Sequence, residues 1–524
     1  MNYFYSKIPI LAGIFFIIAT ASCNTGNSIE IIDLSNIGDI PDRVPETSDN
    51  FKETECWYKF TIPKNVHCGI LTVPENYHKP EGKKIELAVV RFFSDNKNVQ
   101  KDPIVYLEGG PGGSGIKTTA MVESIFSKFI GDRDLIVFDQ RGTGVSQPAL
   151  DCETSTSVSG EMDINDTKVC KKNLLKKGIS LKEYNSAANA HDVDSLRKAL
   201  GYKQINLWGI SYGTRLALTV MRDYPQGIRS VILDSTVPLE INLYENLGVN
   251  ASNSFNKLFD QCGSQPKCNT EYPDIMHNML KAMDELDKTP HKVTIEDGSS
   301  VDLTGDMLMN LLFVLMYSAD NLPYIPLLVT SIYNQNYIYI DDIMKQVSAQ
   351  GSGISLGMNL SVNCSEEYAY FNKTDYDNAS KNIDHRFYNV FNSDDIGEAC
   401  KEWDVPAAPK KEITPVKSDI PTMIIAGIFD PITPPEWGKM VADNLTNSQF
   451  FTFPNGTHGV SITDCGQAMS LQFFKEPTHN ASLKCFNSLQ PKSFLYPLVK
   501  DTKPLIDFAS PESSVNITIP PVFY

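Results

Sequence analysis

Five residues, Gly209-Ile210-Ser211-Tyr212-Gly213, follow the strand-like run Gln204 to Trp208 and precede the helix-forming run Thr214 to Tyr224, which Pro225 stops. A strand, a sharp turn and a helix in that order leave the backbone little freedom. A small residue is needed on each side of the turn, because a bulky side chain at 209 or 213 would strike the neighbouring strand and helix. The turn strains Ser211 and lifts its hydroxyl clear of the strand, where a base can reach it. Gly-x-Ser-x-Gly alone is a weak signal; its place between this strand and this helix makes it informative.

The segments around the turn alternate. Ile85 to Phe93, Pro103 to Leu107, Leu135 to Phe138, Ile205 to Trp208 and Ser230 to Leu233 read as strands, and Ala187 to Leu200 as a helix. Alternation of this kind predicts an α/β fold: a mostly parallel sheet with helices on both faces. From 241 to 410 apolar helical stretches such as Met307 to Met316 and Leu327 to Tyr333 dominate, with no clear strand. Strand character returns at Thr422 to Ile428 and Gln449 to Phe453. The order of segments predicts one core, 51–240 and 411–524 with a C-terminal extension, interrupted by an inserted helical cap over 241–410.

The 524 residues suffice for such a core, and a net charge of −17 argues against nucleic acid or an anionic membrane surface as a partner. At the N-terminus Lys7 precedes the apolar run Ile8 to Ala19, too short for a convincing membrane span and laid out like a signal peptide over 1–22. Two cleavage readings stand. Ala19-Thr20-Ala21 fits cutting before Ser22, whereas Thr20-Ala21-Ser22-Cys23 resembles a bacterial lipobox, with acylation of Cys23 as a lipid anchor. Residues 23–50 are polar and read as a tether. Of 11 cysteines, setting Cys23 aside leaves an even number that falls into sequential neighbours, from Cys56 and Cys68 to Cys465 and Cys485. Local disulfides and export to an oxidising compartment, cell envelope or beyond, follow as expectations, with connectivity open. No Cys-x-x-Cys or His/Cys cluster has zinc spacing, so neither metal nor cofactor is expected. Sequons such as those at Asn250, Asn378 and Asn480 are glycan acceptors only in a eukaryotic secretory route.

A serine hydroxyl is a weak nucleophile and needs a base, itself oriented by an acid. Of the eight histidines, His458 sits in Pro454-Asn455-Gly456-Thr457-His458-Gly459, a glycine-flanked loop directly after a strand. His277 and His291 fall in polar, helix-like sequence and read as solvent-exposed. Asp430 ends the strand Thr422 to Ile428, before Pro431 and Pro434. Alone it would read as an Asx-turn residue; between Ser211 and His458 it reads as the orienting acid. Acyl transfer also needs donors for an oxyanion. Tyr212 N–H is one. The other comes from Glu108-Gly109-Gly110-Pro111-Gly112-Gly113-Ser114-Gly115 after the strand Pro103 to Leu107, with Gly110 as donor and Gly109 as the alternative. That loop lacks the Gly-Lys-Ser/Thr ending of a nucleotide cradle.

These segments, together with Asp139-Gln140-Arg141-Gly142-Thr143-Gly144-Val145-Ser146, occur in an order that resembles the proline iminopeptidase family of serine peptidases, within the α/β-hydrolase superfamily. The similarity is greatest to its secreted tripeptidyl aminopeptidase-like branch and spans roughly residues 100 to 460. The resemblance implies an α/β-hydrolase core, a helical cap, and release of short peptides or single residues from free N-termini of peptide substrates. Iminopeptidases usually carry His where this chain has Glu108, which argues against strict release of proline. Asp139 and Arg141 are expected to hold turns near the oxyanion loop. Val362-Asn363-Cys364-Ser365-Glu366 resembles the cap segment that supplies an acidic residue near the substrate, which makes Glu366 the candidate for binding the α-amino group and Glu367 its rival. The expected function is an exported serine exopeptidase working through an acyl-enzyme; the alternative is a carboxylic ester hydrolase with the same Ser211, Asp430 and His458.

Overall fold

Branched and aromatic side chains pair the chain into a sheet whose strands are β1 (Phe51–Thr54), β2 (Val66–Pro74), β3 (Lys84–Phe92), β4 (Ile104–Leu107), β5 (Leu135–Phe138), β6 (Ile205–Ile210) and β7 (Ile228–Asp234). A separate hairpin, β8 (His291–Thr294) and β9 (Ser300–Leu303), comes next in the chain, and β10 (Thr422–Gly427) and β11 (Ser448–Phe453) complete the large sheet. Its nine strands run in the order β1-β2-β3-β5-β4-β6-β7-β10-β11. The pairs from β5 to β11 are parallel and those joining β1, β2, β3 and β5 are antiparallel. The computed structural model describes residues 44–62, 65–152, 164–295, 298–348 and 353–496. The expected signal peptide over 1–22, Cys23, the expected tether as far as residue 43 and the end of the C-terminal extension lie outside the described residues.

The central strands are apolar on both faces because helices cover both. Val105, Leu207 and Leu233 face α1 (Ser186–Ala199) and α2 (Tyr212–Asp223), whose Val193, Leu196, Leu216 and Val220 join the same buried cluster. Tyr106, Trp208 and Ile232 face the other way, against Phe126, Phe129 and Phe473. Trp208 stacks on Phe129 with ring centroids 3.9 Å apart.

Between β7 and β10 the chain is mainly helical. The helices α3 (Leu243–Ser264) and α4 (Gly305–Leu315) build a second cluster around Phe255, Leu312, Phe313 and Phe387. The later helix α5 (Leu356–Val362) instead sends Met358 and Leu360 into the main core beside Trp403. The hairpin β8–β9 corrects the strandless reading of this segment, and His291 opens it, stacked on Tyr337 and 2.9 Å from Asp341. Residues 44–50, expected within the tether, are fastened to the core: Ser48 N–H donates to Ala199 O at 2.8 Å and Val44 packs on the main cluster. Asn250 is 6% exposed and hydrogen-bonded within the fold, so its sequon is closed to a glycan.

Ten cysteines form five disulfides between sequential neighbours: Cys56–Cys68, Cys152–Cys170, Cys262–Cys268, Cys364–Cys400 and Cys465–Cys485. The chain-entropy account assigns each such short loop about 2–4 kcal/mol.

Candidate active site

Ser211 caps the N-terminus of α2 with φ 57° and ψ −127°, a conformation that side chains rarely adopt. It is held there because β6 must turn straight into α2 against β4. A Cβ on Gly213 would lie 2.0 Å from Leu107 O, so no side chain fits at that position. Ser211 N–H donates to Asp234 O at 3.0 Å, which fastens the turn to the end of β7.

His458 follows β11 in a loop fastened to the same place. Gly459 N–H donates to Ser235 Oγ at 2.9 Å, and Val460 and Ser461 N–H donate to the two oxygens of Asp234 at 3.1 and 2.6 Å. The serine turn and the histidine loop therefore share one anchor. Burial pushes the Asp234 carboxyl up to about 6, against the pull of Ser461, His458 and Val460.

Asp430 follows β10 and accepts from His458 Nδ1 at 2.9 Å, with both side chains almost fully buried. Its other oxygen accepts Ile432 N–H and Thr433 N–H at 3.0 and 2.9 Å. Thr433 Oγ1 donates to Asp430 Oδ2 at 2.8 Å and lies 3.2 Å from His458 Nδ1. Burial raises the Asp430 carboxyl, but the charge and hydrogen bond of His458 and the bonds from Thr433 outweigh it and hold it below its ordinary value. With Nδ1–H directed at a charged carboxylate, Nε2 is left as the acceptor. Such a histidine can take a proton from a hydroxyl and return it to a leaving group.

Gly110 and Tyr212 line the pocket that holds Ser211. Gly110 adopts φ 121°, open to glycine without strain. The alternative donor, Gly109, is engaged elsewhere: its N–H bonds Glu108 Oε1 at 2.8 Å. Glu108 is buried beside Tyr106 and turned from the pocket, and burial pushes its carboxyl up to about 7. Asp139 holds the turns expected of it, accepting Ser114 Oγ, Ile116 N–H and Val145 N–H beside the glycine-rich loop that follows β4. Arg141 grips Asp192 with two bonds of 2.7 and 2.8 Å, farther along the same turn.

Glu366 requires a correction. It does not reach the pocket: its carboxylate accepts Ser186 N–H and Ser186 Oγ at 2.7 Å each and Arg215 Nε at 3.0 Å, and it is 1% exposed. Its neighbour Glu367 lines the pocket with Ser211, Arg215, Tyr244 and Asn363. Glu367 accepts Leu243 N–H at 2.9 Å and pairs with Arg215 Nη1 at 3.0 Å. Two carboxylates thus face one guanidinium, which leaves a net negative charge at the pocket wall wherever Glu367 is ionised. Burial pushes Glu367 up to about 7 against the pull of Arg215 and the Leu243 N–H, with Glu366 and Glu245 adding to the rise. Thr433, Asp234 and Ser235 also escaped the sequence reading; only the position of Asp234 at a strand end offered a signal.

The sequence model of a family described as alpha/beta hydrolase fold matches residues 102–464. Over 438 residues the chain is 25% identical to the serine protease Hip1 of Mycobacterium tuberculosis, covering 76% of this chain and 82% of that protein. Over 201 residues it is 31% identical to the tripeptidyl aminopeptidase of Streptomyces coelicolor, covering 35% of this chain and 37% of that protein. Among solved structures, the proline iminopeptidase of Mycobacterium smegmatis aligns with 78% of this chain and 97% of its own, at 14% identity and a TM-score of 0.36.

Proposed function

The chain belongs to the alpha/beta hydrolase fold family, and we propose that it is an exported serine aminopeptidase that frees short N-terminal fragments from unblocked peptides. Ser211 attacks the scissile carbonyl while His458 Nε2 takes its proton. Asp430 holds the imidazole in the required tautomer and steadies its charged form. The N–H groups of Gly110 and Tyr212 stabilise the oxyanion. His458 then protonates the leaving amine, and water releases the acyl group from Ser211. The serine protease and the tripeptidyl aminopeptidase among the relatives support peptide chemistry. Five disulfides support folding in an oxidising compartment.

The observation that carries the aminopeptidase reading is the unbalanced charge of Glu366, Glu367 and Arg215 beside the nucleophile. An α-ammonium group seated against Glu367 would neutralise it. Glu367 keeps lone pairs for such a donor beyond its two present bonds, and Arg215 lies one helical turn past Ser211. An endopeptidase or a simple esterase has no use for that charge.

Glu367→Gln is expected to raise KM for free-amine peptides about 10- to 100-fold, the loss of one buried charge-assisted contact, with a smaller change in kcat. The ammonium is attracted by the ionised carboxylate only. In the parent enzyme KM should therefore rise as pH falls through about 7, and in the variant that dependence should vanish. Steady-state kinetics from pH 5.5 to 8.5 check this; an unchanged KM and pH profile would return the pocket to the ester hydrolase reading.

A further inference from the structure

The helices between β7 and β10 touch more than the pocket. Ser254 on α3 donates its hydroxyl to Phe429 O at 2.6 Å, and Asn250, one turn earlier, donates to Ile432 O at 2.9 Å. Those two carbonyls bracket Asp430. Phe429 and Ile432 are themselves buried in the cluster that α3 and α4 build. On the other loop, Thr457 Oγ1 donates to Met316 O, at the end of α4, and to Phe429 O at 3.1 Å. Tyr317, 2% exposed, sets its ring against that of His458 with centroids 4.9 Å apart.

We propose that this inserted segment is part of the acid–base apparatus, with Asn250, Ser254 and Tyr317 as positioning residues that hold Asp430 and His458 in register. The inference rests on the Ser211, Asp430 and His458 assignment above. Asp430 and His458 stand on two loops that leave the C-terminal ends of β10 and β11. Asp234 and Ser235 fasten the histidine loop from the side of β7, and Phe429 N–H ties the aspartate loop to it through Gly456 O at 3.1 Å; the side chains that grip the carbonyls on either side of Asp430 from the inserted segment come from α3. A hydrogen bond of 2.9 Å between groups on separate loops tolerates little drift, and a displacement of about 1 Å at a reacting group can cost about 100-fold in rate. A lid that served only to select substrates would contact the pocket; it would not bond the backbone carbonyls on either side of the acid.

The test separates positioning from substrate binding by using a small fluorophosphonate, which reacts at the serine without needing an N-terminal amine. In a folded Asn250→Ala/Ser254→Ala protein, Ser211 should be labelled roughly 10- to 100-fold more slowly than in the parent. The kcat for a free peptide should fall by the same factor, with KM within about twofold. Tyr317→Leu and Thr457→Val, read by the same criterion, decide the matter if the double variant fails to fold. Folded variants labelled at the parental rate, with only KM for peptides altered, would overturn the proposal and leave the segment a substrate-binding cap. A parent protein not labelled at Ser211 would instead sink the underlying assignment.

Discussion

Ser211→Ala should lose on the order of 10⁴- to 10⁶-fold in kcat while melting within a few degrees of the parent. The serine does its structural work through the backbone: its N–H bonds Asp234 O, its carbonyl accepts Thr214 N–H at 2.8 Å, and its φ of 57° burdens alanine as it does serine. Removing Oγ therefore removes the nucleophile and leaves the turn. What survives is catalysis by the oxyanion donors and by substrate binding, which in serine hydrolases amounts to about 10³–10⁴ over water. A variant with activity near that of the parent would mean that the chemistry happens elsewhere.

Asp430→Asn should cost about 10⁴-fold in kcat, again with the fold intact. Asparagine can keep the two bonds from Ile432 and Thr433 N–H, since these fall on one oxygen. The other oxygen, which accepts from His458 Nδ1 and Thr433 Oγ1, becomes an amide NH₂. Facing that donor, the imidazole turns its lone pair to Nδ1 and its proton to Nε2, and it can no longer accept from Ser211. Because His458 and Thr433 hold the Asp430 carboxyl below its ordinary value, the parent enzyme keeps this charge across the neutral range and well into acid. Fluorophosphonate labelling and peptide turnover should fall together in Asp430→Asn; loss of turnover alone would point to a substrate-binding role.

The placement of Ser211, Asp430 and His458 was legible because it hangs on local rules. A glycine-flanked serine between a strand and a helix has one backbone solution, and an acid at a strand end before a histidine loop follows from the order of segments. The strands buried on both faces, β4 to β7, were legible for the same reason: continuous apolar runs bounded by turns. The edge was less so. β1 reads Phe-Lys-Glu-Thr, with only its first residue buried, and nothing in so polar a run distinguishes it from loop. The four-residue strands of the hairpin β8–β9 fail likewise.

Glu366 and Glu367 show a different limit. They end a helical stretch that widens into a π-helical turn over Asn363–Glu367, a device frequent at functional sites. Adjacent residues on a regular helix point about 100° apart, and one widened turn shifts which of them faces the pocket. No spacing rule reports that shift. The bracing of Asp430 by Ser254 was equally hidden, since the two segments are separated by 175 residues and meet only through the tertiary fold.

The most direct measurement is mass spectrometry of products from the purified protein incubated with free and N-acetylated copies of the same peptides. The account predicts short N-terminal fragments from the free peptides and almost none from the acetylated ones. Equal cleavage of both sets, or cleavage of neither beside rapid turnover of simple esters, would contradict it.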